Sequence, residues 1–312
     1  MVRDGHTPAG TQRWRCRACG IARTRQRPDN RIRTDAAVLS AWMTDVLSLK
    51  RIATEKGMSR EHLSRRLKER WGEILEAPAI DATDDVLVLD AISCGEGVAF
   101  ILRTIDRPRA TWSFGSRENA EGWFEAIRKV TNEPRAIVSD HQKGLRLAVR
   151  LQFPDALHQR CQAHIIRQAL IWITKRPKTL AGKTLRILAL RLSSVETAHD
   201  AEQWIATLGR WHKEFKPFLS EKTQGPNGHW WYTHKYLRWA TGLLMGAVPE
   251  AFTFTIASKV PKTSNHVEGG LNAQLKERIE RHRGLPPERQ RALVALFLQD
   301  WNRRNSSKRN IT

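Results

Sequence analysis

Apolar residues recur with two different periods along this chain, and the change between them divides the sequence. Residues 86–92, 98–102, 110–114 and 136–139 are short apolar runs bounded by turn residues, which predicts four strands. A helical pattern over residues 117–131 lies between the third and fourth runs. We expect the first three strands to form an antiparallel meander.

Two aspartates occupy notable places in this pattern. Asp90 lies inside an apolar strand, where an unpaired charge is costly. Asp140 ends the fourth strand, where a simple turn or cap is the alternative explanation. The order of elements, three strands followed by a helix and a fourth strand, is the ribonuclease-H-like order. In that order the two carboxylates come to neighbouring strands. Oxygen ligands suit Mg²⁺, so such carboxylates could hold a metal pair beside a phosphate.

A third carboxylate, Glu268, lies where a polar cluster runs into a helical pattern. The apolar positions of this pattern are spaced by four: Val267, Leu271, Leu275 and Ile279. Glu268 and Asn272 lie beside this stripe and can be held rigidly. The alternative is that Glu268 is the third-position partner of a capping box whose N-cap is Asn265.

Residues 34–77 have the spacing of a helix-turn-helix module. After a first helix over residues 35–47, Ala53 allows close helix approach, Gly57 makes the turn and Ser59 caps the next helix. Leu63 and Leu67 pack back. The second helix should present basic residues outward: Arg60, His62, Arg65, Arg66 and Lys68. This face suits a DNA major groove, and a helical hairpin with a solvated basic face is the alternative.

Residues 1–33 form a small basic segment with nine arginines. Cys16 and Cys19 have the spacing of a zinc knuckle and resemble the second half of a zinc ribbon. A structural zinc ion needs four ligands, of which His6 could be a third. We expect another Cys-x-x-Cys pair upstream of Met1 and, without it, a poorly ordered segment. An unstructured basic tail with two free thiols is the alternative.

The overall charge narrows the choice of partner. The formal net charge is +21 and the isoelectric point about 10.6, which favours a polyanion. Nucleic acid is preferred over an anionic membrane because no apolar segment is long enough to span a bilayer and none follows the first residues. Four cysteines do not make a disulfide framework in a chain of 312 residues. These features predict a cytoplasmic protein.

Cys161 and His164 form a Cys-x-x-His pair on one face of a predicted helix. A zinc site is a weak interpretation because no second ligand pair accompanies them. The alternative is that Cys161 is a small buried residue and that His164 is a core histidine whose ring nitrogens have hydrogen-bond partners.

Four motifs in this order resemble the bacterial insertion-sequence transposases of the Mutator-like superfamily. They are Asp90 in the first strand, Ser139-Asp140 after the fourth, the Cys161 and His164 pair, and Thr263-Ser-Asn-His-Val-Glu-Gly269. The resemblance implies an α/β chain whose residues 84–312 form a ribonuclease-H-like catalytic domain with a mainly helical insertion at about 178–255. The helix-turn-helix and partial zinc-ribbon segments precede this domain.

The resemblance and the individual motifs together predict roles for particular residues, and the catalytic triad is the part that comes from the resemblance. Asp90, Asp140 and Glu268 become a metal-binding catalytic triad for Mg²⁺ or Mn²⁺, and Cys16 and Cys19 would bind Zn²⁺ if the ribbon is completed. The residues expected to support the site or contact DNA are Cys161, His164, Asn265, Asn272, Arg60, Arg65, Arg66, Trp230 and Trp231. The two tryptophans suit stacking on a distorted base, and a place in the insertion core for at least one is the alternative.

The function implied is that of a DNA transposase. Such a protein binds double-stranded DNA at terminal inverted repeats and target sites, cuts by metal-assisted hydrolysis and joins the freed 3′-hydroxyl to target DNA. One active site at each end implies a homodimer or larger assembly, and DNA binding implies association with the nucleoid. The alternatives are a DNA-binding regulator, an inactive transposase relative, and a ribonuclease-H-like nuclease without strand transfer.

Overall fold

A computed structural model describes most of the chain, which divides into two compact units, residues 1–75 and 76–312. The described residues are 1–8, 10–24, 35, 38, 42, 48–68, 76–264 and 270–307. The predicted helix over residues 35–47 lies largely outside them.

The first unit begins with a three-stranded antiparallel sheet. Its strands are β1 (Val2–His6), β2 (Gln12–Arg15) and β3 (Ala22–Thr24), in that order. The turn between β2 and β3 carries Cys16 and Cys19, and the Cys16 carbonyl accepts the N–H of Gly20 at 2.9 Å. The expectation of a poorly ordered segment is therefore wrong for this part, and so is the unstructured tail.

Two short helices follow in the first unit: α1 (Leu49–Glu55) and α2 (Arg60–Lys68). Gly57 joins them in a left-handed conformation with φ of 64°, which a glycine adopts at little cost. Ser59 Oγ accepts the N–H of His62 at 3.1 Å and caps α2, while Leu63 and Leu67 are buried. These local features agree with the predicted hairpin of helices, whose DNA-binding role stays a prediction.

Arg66 departs from the predicted outward-facing set. Its guanidinium lies 2.7 Å from the carboxylate of Asp35, and the two side chains are only 19% and 4% exposed. Arg60, His62 and Arg65 are exposed as predicted. Arg66 faces inward because a buried aspartate needs a cationic partner, and the sequence pattern around α2 does not show where that aspartate lies.

The second unit is built on a five-stranded mixed sheet. Its strands are β4 (Val86–Cys94), β5 (Gly97–Thr104), β6 (Ala110–Gly115), β7 (Ala136–Ser139) and β8 (Leu157–Arg160), in the spatial order β6-β5-β4-β7-β8. The pairs β4–β5 and β5–β6 are antiparallel, which confirms the predicted meander. The pairs β4–β7 and β7–β8 are parallel. Helices α3 (Ala120–Ile127) and α4 (Lys143–Gln152) connect β6 to β7 and β7 to β8.

Alternate residues of the central strands face two different cores. Leu87 and Leu89 pack with α3 and α4, whereas Val86 and Val88 pack with Val260 on the opposite face. Because side chains alternate along a strand, Asp90 faces the same side as Val86 and Val88. The sheet is thus covered on both sides, and Asp90 lies in the middle of β4 on the side that packs with Val260.

A mainly helical region follows β8, as predicted. Its helices are α5 (Gln162–Ile173), α6 (Leu180–Arg191), α7 (Ala198–Leu219) and α8 (Lys235–Ala251), with the hairpin β9 (Lys222–Gln224) and β10 (Trp230–Tyr232) between α7 and α8. These four helices share one apolar core that includes Leu185, Trp204 and Leu244.

Two helices complete the unit: α9 (Leu271–Arg281) and α10 (Pro287–Ser307). Asn302 in α10 accepts the N–H of Ala110 at 2.7 Å and donates to its carbonyl at 2.8 Å, so α10 packs on the β6 edge of the sheet. Among the described residues, no helix has both the length and the apolar character that crossing a membrane requires.

Candidate active site

Asp90 lies in β4, and Asp140 directly follows the last residue of the neighbouring parallel strand β7. Val86 pairs with Ala136 and Val88 with Val138, so two residues further along each strand the register reaches Asp90 and Asp140. Neighbouring strands lie about 4.8 Å apart. The prediction that these two residues come to neighbouring strands is confirmed, and both carboxylates lie where β7 ends.

The Asp90 side chain is oriented by two hydrogen bonds. The Asn272 amide in α9 donates to Asp90 Oδ2 at 2.5 Å, and the N–H of Ala91 donates to Oδ1 at 2.9 Å. Asn272 is 8% exposed, so this contact is shielded from water. Each carboxylate oxygen has two lone pairs and keeps one available for an ion. The first turn of α9 therefore holds Asp90 directly.

A buried arginine lies on the same face of the sheet. Ile101 is the cross-strand neighbour of Asp90, and Arg103 follows two residues later, which puts its side chain on the same side. Burial lowers the pKa of Arg103, and the charge of Asp90 acts against this shift. Arg103 therefore contributes positive charge beside Asp90.

Cys161 binds Ser264, the last described residue before Glu268. It is fully buried at the start of α5, and its N–H donates to the Ser139 carbonyl at 2.7 Å. Ser264 donates its N–H to Cys161 Sγ at 3.2 Å, while the Ser264 carbonyl accepts from Arg103 Nη2 at 3.1 Å. The described chain thus reaches Ser264 directly beside the ends of β7 and β8.

His164 forms a polar pair with Cys161. The hydrogen bond with Cys161 raises the pKa of His164 against the effect of burial, and the charges of Asp90 and Asp140 act in the same direction as the bond. Burial acts to raise the pKa of Cys161, but the hydrogen bond and charge of His164, together with the hydrogen bonds of Ser264, outweigh burial and lower this pKa. His164 therefore lies close enough to both aspartates to feel their charges, and the supporting role of Cys161 and His164 stays a prediction.

Glu118 is a further carboxylate near the two aspartates, and the sequence analysis did not identify it. Burial raises the pKa of Glu118, and the negative charges of Asp140 and Asp90 raise it further. The indole N–H of Trp123 donates to Glu118 Oε1 at 3.3 Å. Glu118 lies in the loop between β6 and α3, where sequence periodicity gives no signal for a buried charge.

Glu268 and Asn265 lie outside the described residues. Both flanks of this stretch are described and both belong to the site: Ser264 contacts Cys161 and Arg103, and Asn272 contacts Asp90. The catalytic role of Glu268 stays a prediction.

The predicted stacking residues lie on the β9–β10 hairpin of the helical region. Trp230 and Trp231 are 47% and 44% exposed, so a core role for either is wrong. Lys222 Nζ lies 3.7 Å from the ring centroid of Trp230, and Arg238 lies 3.6 Å from that of Tyr232. The hairpin therefore presents aromatic rings together with positive charge.

Clusters of three side chains that could hold a metal ion are few in the described part of the chain. One set of three ligand atoms from His, Cys, Asp or Glu lies within 4.8 Å of one another, and it comprises His141, His158 and Glu250. Cys16, Cys19 and His6 do not form such a set. Backbone hydrogen bonds from Cys19 and Ala18 lower the pKa of Cys16, which favours a thiolate ligand, and zinc binding there stays a prediction.

Comparison with known proteins gives a match in the middle of the chain. A search of curated proteins found no match to the chain. The matched range, residues 110–224, belongs to one family model and includes Asp140, Cys161 and His164, but neither Asp90 nor Glu268. This model is described as Transposase, Mutator family, and the similarity supports a transposase function.

Proposed function

We propose that this protein is a DNA transposase that binds the terminal inverted repeats of an insertion sequence, cleaves strands in a metal-dependent reaction and transfers the 3′-hydroxyl to target DNA. The observation that supports the proposal is the parallel pairing of β4, which contains Asp90, with β7, which directly precedes Asp140. The spatial order β6-β5-β4-β7-β8, with its antiparallel and parallel pairs, supports a ribonuclease-H-like catalytic domain.

The length of the chain supports Glu268 as the third carboxylate. Glu268 is four residues from Ser264 and four from Asn272, and four residues span at most roughly 14 Å. Ser264 is bonded to Arg103 and Asn272 to Asp90. The two chain segments that lead to Glu268, residues 264–268 and 268–272, therefore both begin at residues that contact the aspartate site. Their lengths allow Glu268 to reach this site.

The donor set fits a hard divalent cation. Asp90, Asp140 and Glu268 offer oxygen ligands, which Mg²⁺ and Mn²⁺ prefer. When bound, such ions activate the attacking oxygen and stabilise the leaving oxygen of a phosphodiester. The chain's own groups orient the ligands: Asn272 and the N–H of Ala91 hold Asp90, and the N–H of Gln142 donates to Asp140 Oδ1 at 3.0 Å.

DNA binding is assigned to surfaces rich in positive charge. The exposed Arg60 and Arg65 on α2 suit phosphate contacts in the major groove, and the Trp230–Trp231 hairpin suits stacking on an unpaired base near the transposon end. Since each transposon end needs one active site, we propose a homodimer or larger assembly on DNA.

The test is incubation of the protein with labelled end DNA and Mg²⁺ or Mn²⁺. Wild type should release a 3′-hydroxyl end and join it to a target duplex, whereas Asp90→Asn, Asp140→Asn and Glu268→Gln should bind ends without cutting them. Asp155→Asn is the matched control, because Asp155 is exposed in the connection between α4 and β8. Cleavage in EDTA, or protein attached covalently to DNA, would contradict the proposal. Nicked products without joined products would favour a nuclease.

A further inference from the structure

His141, the residue after Asp140, has a strained backbone. Its φ is 68°, in the left-handed region that residues other than glycine rarely occupy. Such a conformation is unfavourable for a residue with a Cβ atom, so it persists only where surrounding contacts hold it. The strain lies one peptide bond away from a proposed metal ligand.

Three side chains hold the His141 ring. Nδ1 lies 2.5 Å from Glu250 Oε2, and Arg146 Nη1 lies 3.2 Å from Nε2. A guanidinium can only donate, so Nε2 accepts and the ring proton sits on Nδ1, facing Glu250. The ring also stacks on His158, with centroids 5.1 Å apart and planes tilted by 22°.

Glu250 is an anion in this cluster. Burial acts to raise its pKa, but the hydrogen bond from His141 and the nearby positive charges outweigh burial and lower the pKa. Burial lowers the pKa of His158 to about 4, so this ring is neutral at pH 7. The His158 ring is fixed by Ser139, whose Oγ lies 2.7 Å from its Nε2.

Glu250 belongs to the helical region, whereas His141 belongs to the sheet. Glu250 lies in the last turn of α8. The carbonyl of the next residue, Ala251, accepts hydrogen bonds from the side chains of Gln159 and Gln162 at 3.0 Å each. The end of α8 is therefore fixed on β8 and α5. Through Glu250, this helix contacts the turn that begins at Asp140.

A metal ion is a less suitable explanation of the same three residues. Coordination through Nδ1 of His141 would require its proton to move to Nε2 and Arg146 to leave that atom. The positive charges of Arg150 and Arg160 also lie near Glu250 and disfavour a cation. The cluster is instead held by the contacts of His141 with Glu250 and Arg146.

We propose that Glu250 is a positioning residue, which holds His141 in its left-handed conformation and thereby orients Asp140. The helical region that carries the aromatic hairpin thus sets the geometry of one catalytic carboxylate. The catalytic part of this inference rests on the proposed function, whereas the mechanical link between Glu250 and His141 does not.

The experiment uses the fact that glycine adopts positive φ without strain. Glu250→Ala and His141→Ala should each slow end cleavage about tenfold and raise the Mn²⁺ concentration for half-maximal rate, with the Kd for end DNA unchanged. His141→Gly should stay within about threefold of wild type, because its backbone needs no side-chain clamp. In the His141→Gly background, Glu250→Ala should lower the rate of end cleavage by less than a further twofold. Glu202→Ala is the control, since Glu202 is exposed on α7.

Urea denaturation of the same variants tests the link without any activity. His141→Gly should have an unfolding equilibrium constant about fivefold lower than His141→Ala, and the losses from Glu250→Ala and His141→Ala should not add. Equal or lower stability of the glycine variant, additive losses, or stoichiometric Zn²⁺ binding that Glu250→Gln abolishes would each overturn the proposal. If wild type does not cleave DNA, the proposed function fails, and the denaturation results still decide the link.

Discussion

The contact between Asn272 and Asp90 provides a quantitative test of the site. Replacing Asn272 by Leu keeps a similar volume but removes the N–H that donates to Asp90 Oδ2 at 2.5 Å. A hydrogen bond to a charged group contributes roughly 1.5–3 kcal/mol. Since each 1.4 kcal/mol corresponds to a factor of ten, loss of this orientation should slow strand cleavage by about ten- to a hundredfold.

Asn272→Asp is the sharper variant because it places a second carboxylate against Asp90. Two unit charges about 4 Å apart repel by roughly 4 kcal/mol at an effective dielectric constant of 20. We therefore expect the variant to be less stable than wild type in EDTA by about 2–4 kcal/mol, after some relaxation of the two side chains. A divalent cation held between the carboxylates should restore most of this loss.

The assay is thermal denaturation of wild type, Asn272→Asp and Asn272→Leu, each in EDTA and in Mn²⁺, together with cleavage of end DNA. Mn²⁺ should raise the Tm of the aspartate variant more than that of wild type and should not rescue the leucine variant. An aspartate variant as stable as wild type in EDTA would refute the contact. A leucine variant with wild-type cleavage would refute its role in orienting Asp90.

Three further predictions concern other parts of the chain. Asp85→Ala should destabilise the second unit by about 3–5 kcal/mol in urea denaturation, because the buried carboxylate accepts four backbone N–H groups at 2.8–2.9 Å; a loss below about 1 kcal/mol would contradict this. Arg60→Glu and Arg65→Glu should each lower the log–log salt slope of end binding by about 0.9 or more, and unchanged slopes would exclude α2 from the DNA contact. Alkylation followed by mass spectrometry at pH 7.5 should modify Cys16 well before Cys94, since backbone hydrogen bonds lower the pKa of Cys16 and burial raises that of Cys94 to about 11; Zn²⁺ should protect Cys16 if it binds there.

The strands of the second unit could be predicted because their signal is local. Short apolar runs with turn residues between them gave the meander, and an aspartate inside such a run identified Asp90 before any partner was known. A helix between β6 and β7 allows β7 to run parallel to other strands, but its place beside β4 was predicted from the ribonuclease-H-like order and not from the helix. Register and strand order together account for the approach of Asp90 to Asp140.

Helix ends were less predictable where tertiary packing decides them. The apolar pattern predicts a helical stretch from Tyr236 to Met245, which ends before Pro249. In the structure α8 continues to Ala251, and Ala247 and Ala251 are both buried in the helical core. Packing of these small residues outweighs the hydrogen bond that proline cannot make. The extra turn is the one that carries Glu250.

Charged residues whose partners lie far away in the chain could not be identified from sequence. Glu118, Glu250 and Arg66 each look like ordinary surface charges, since nothing within a few positions of them marks burial or a partner. Their roles depend on long-range contacts: Glu118 on both aspartates, Glu250 on His141, and Arg66 on Asp35. A polar residue in an apolar run is noticed because burial is implied by its neighbours, whereas a polar residue in a loop or on a helix face becomes informative only when the fold supplies the group that it meets.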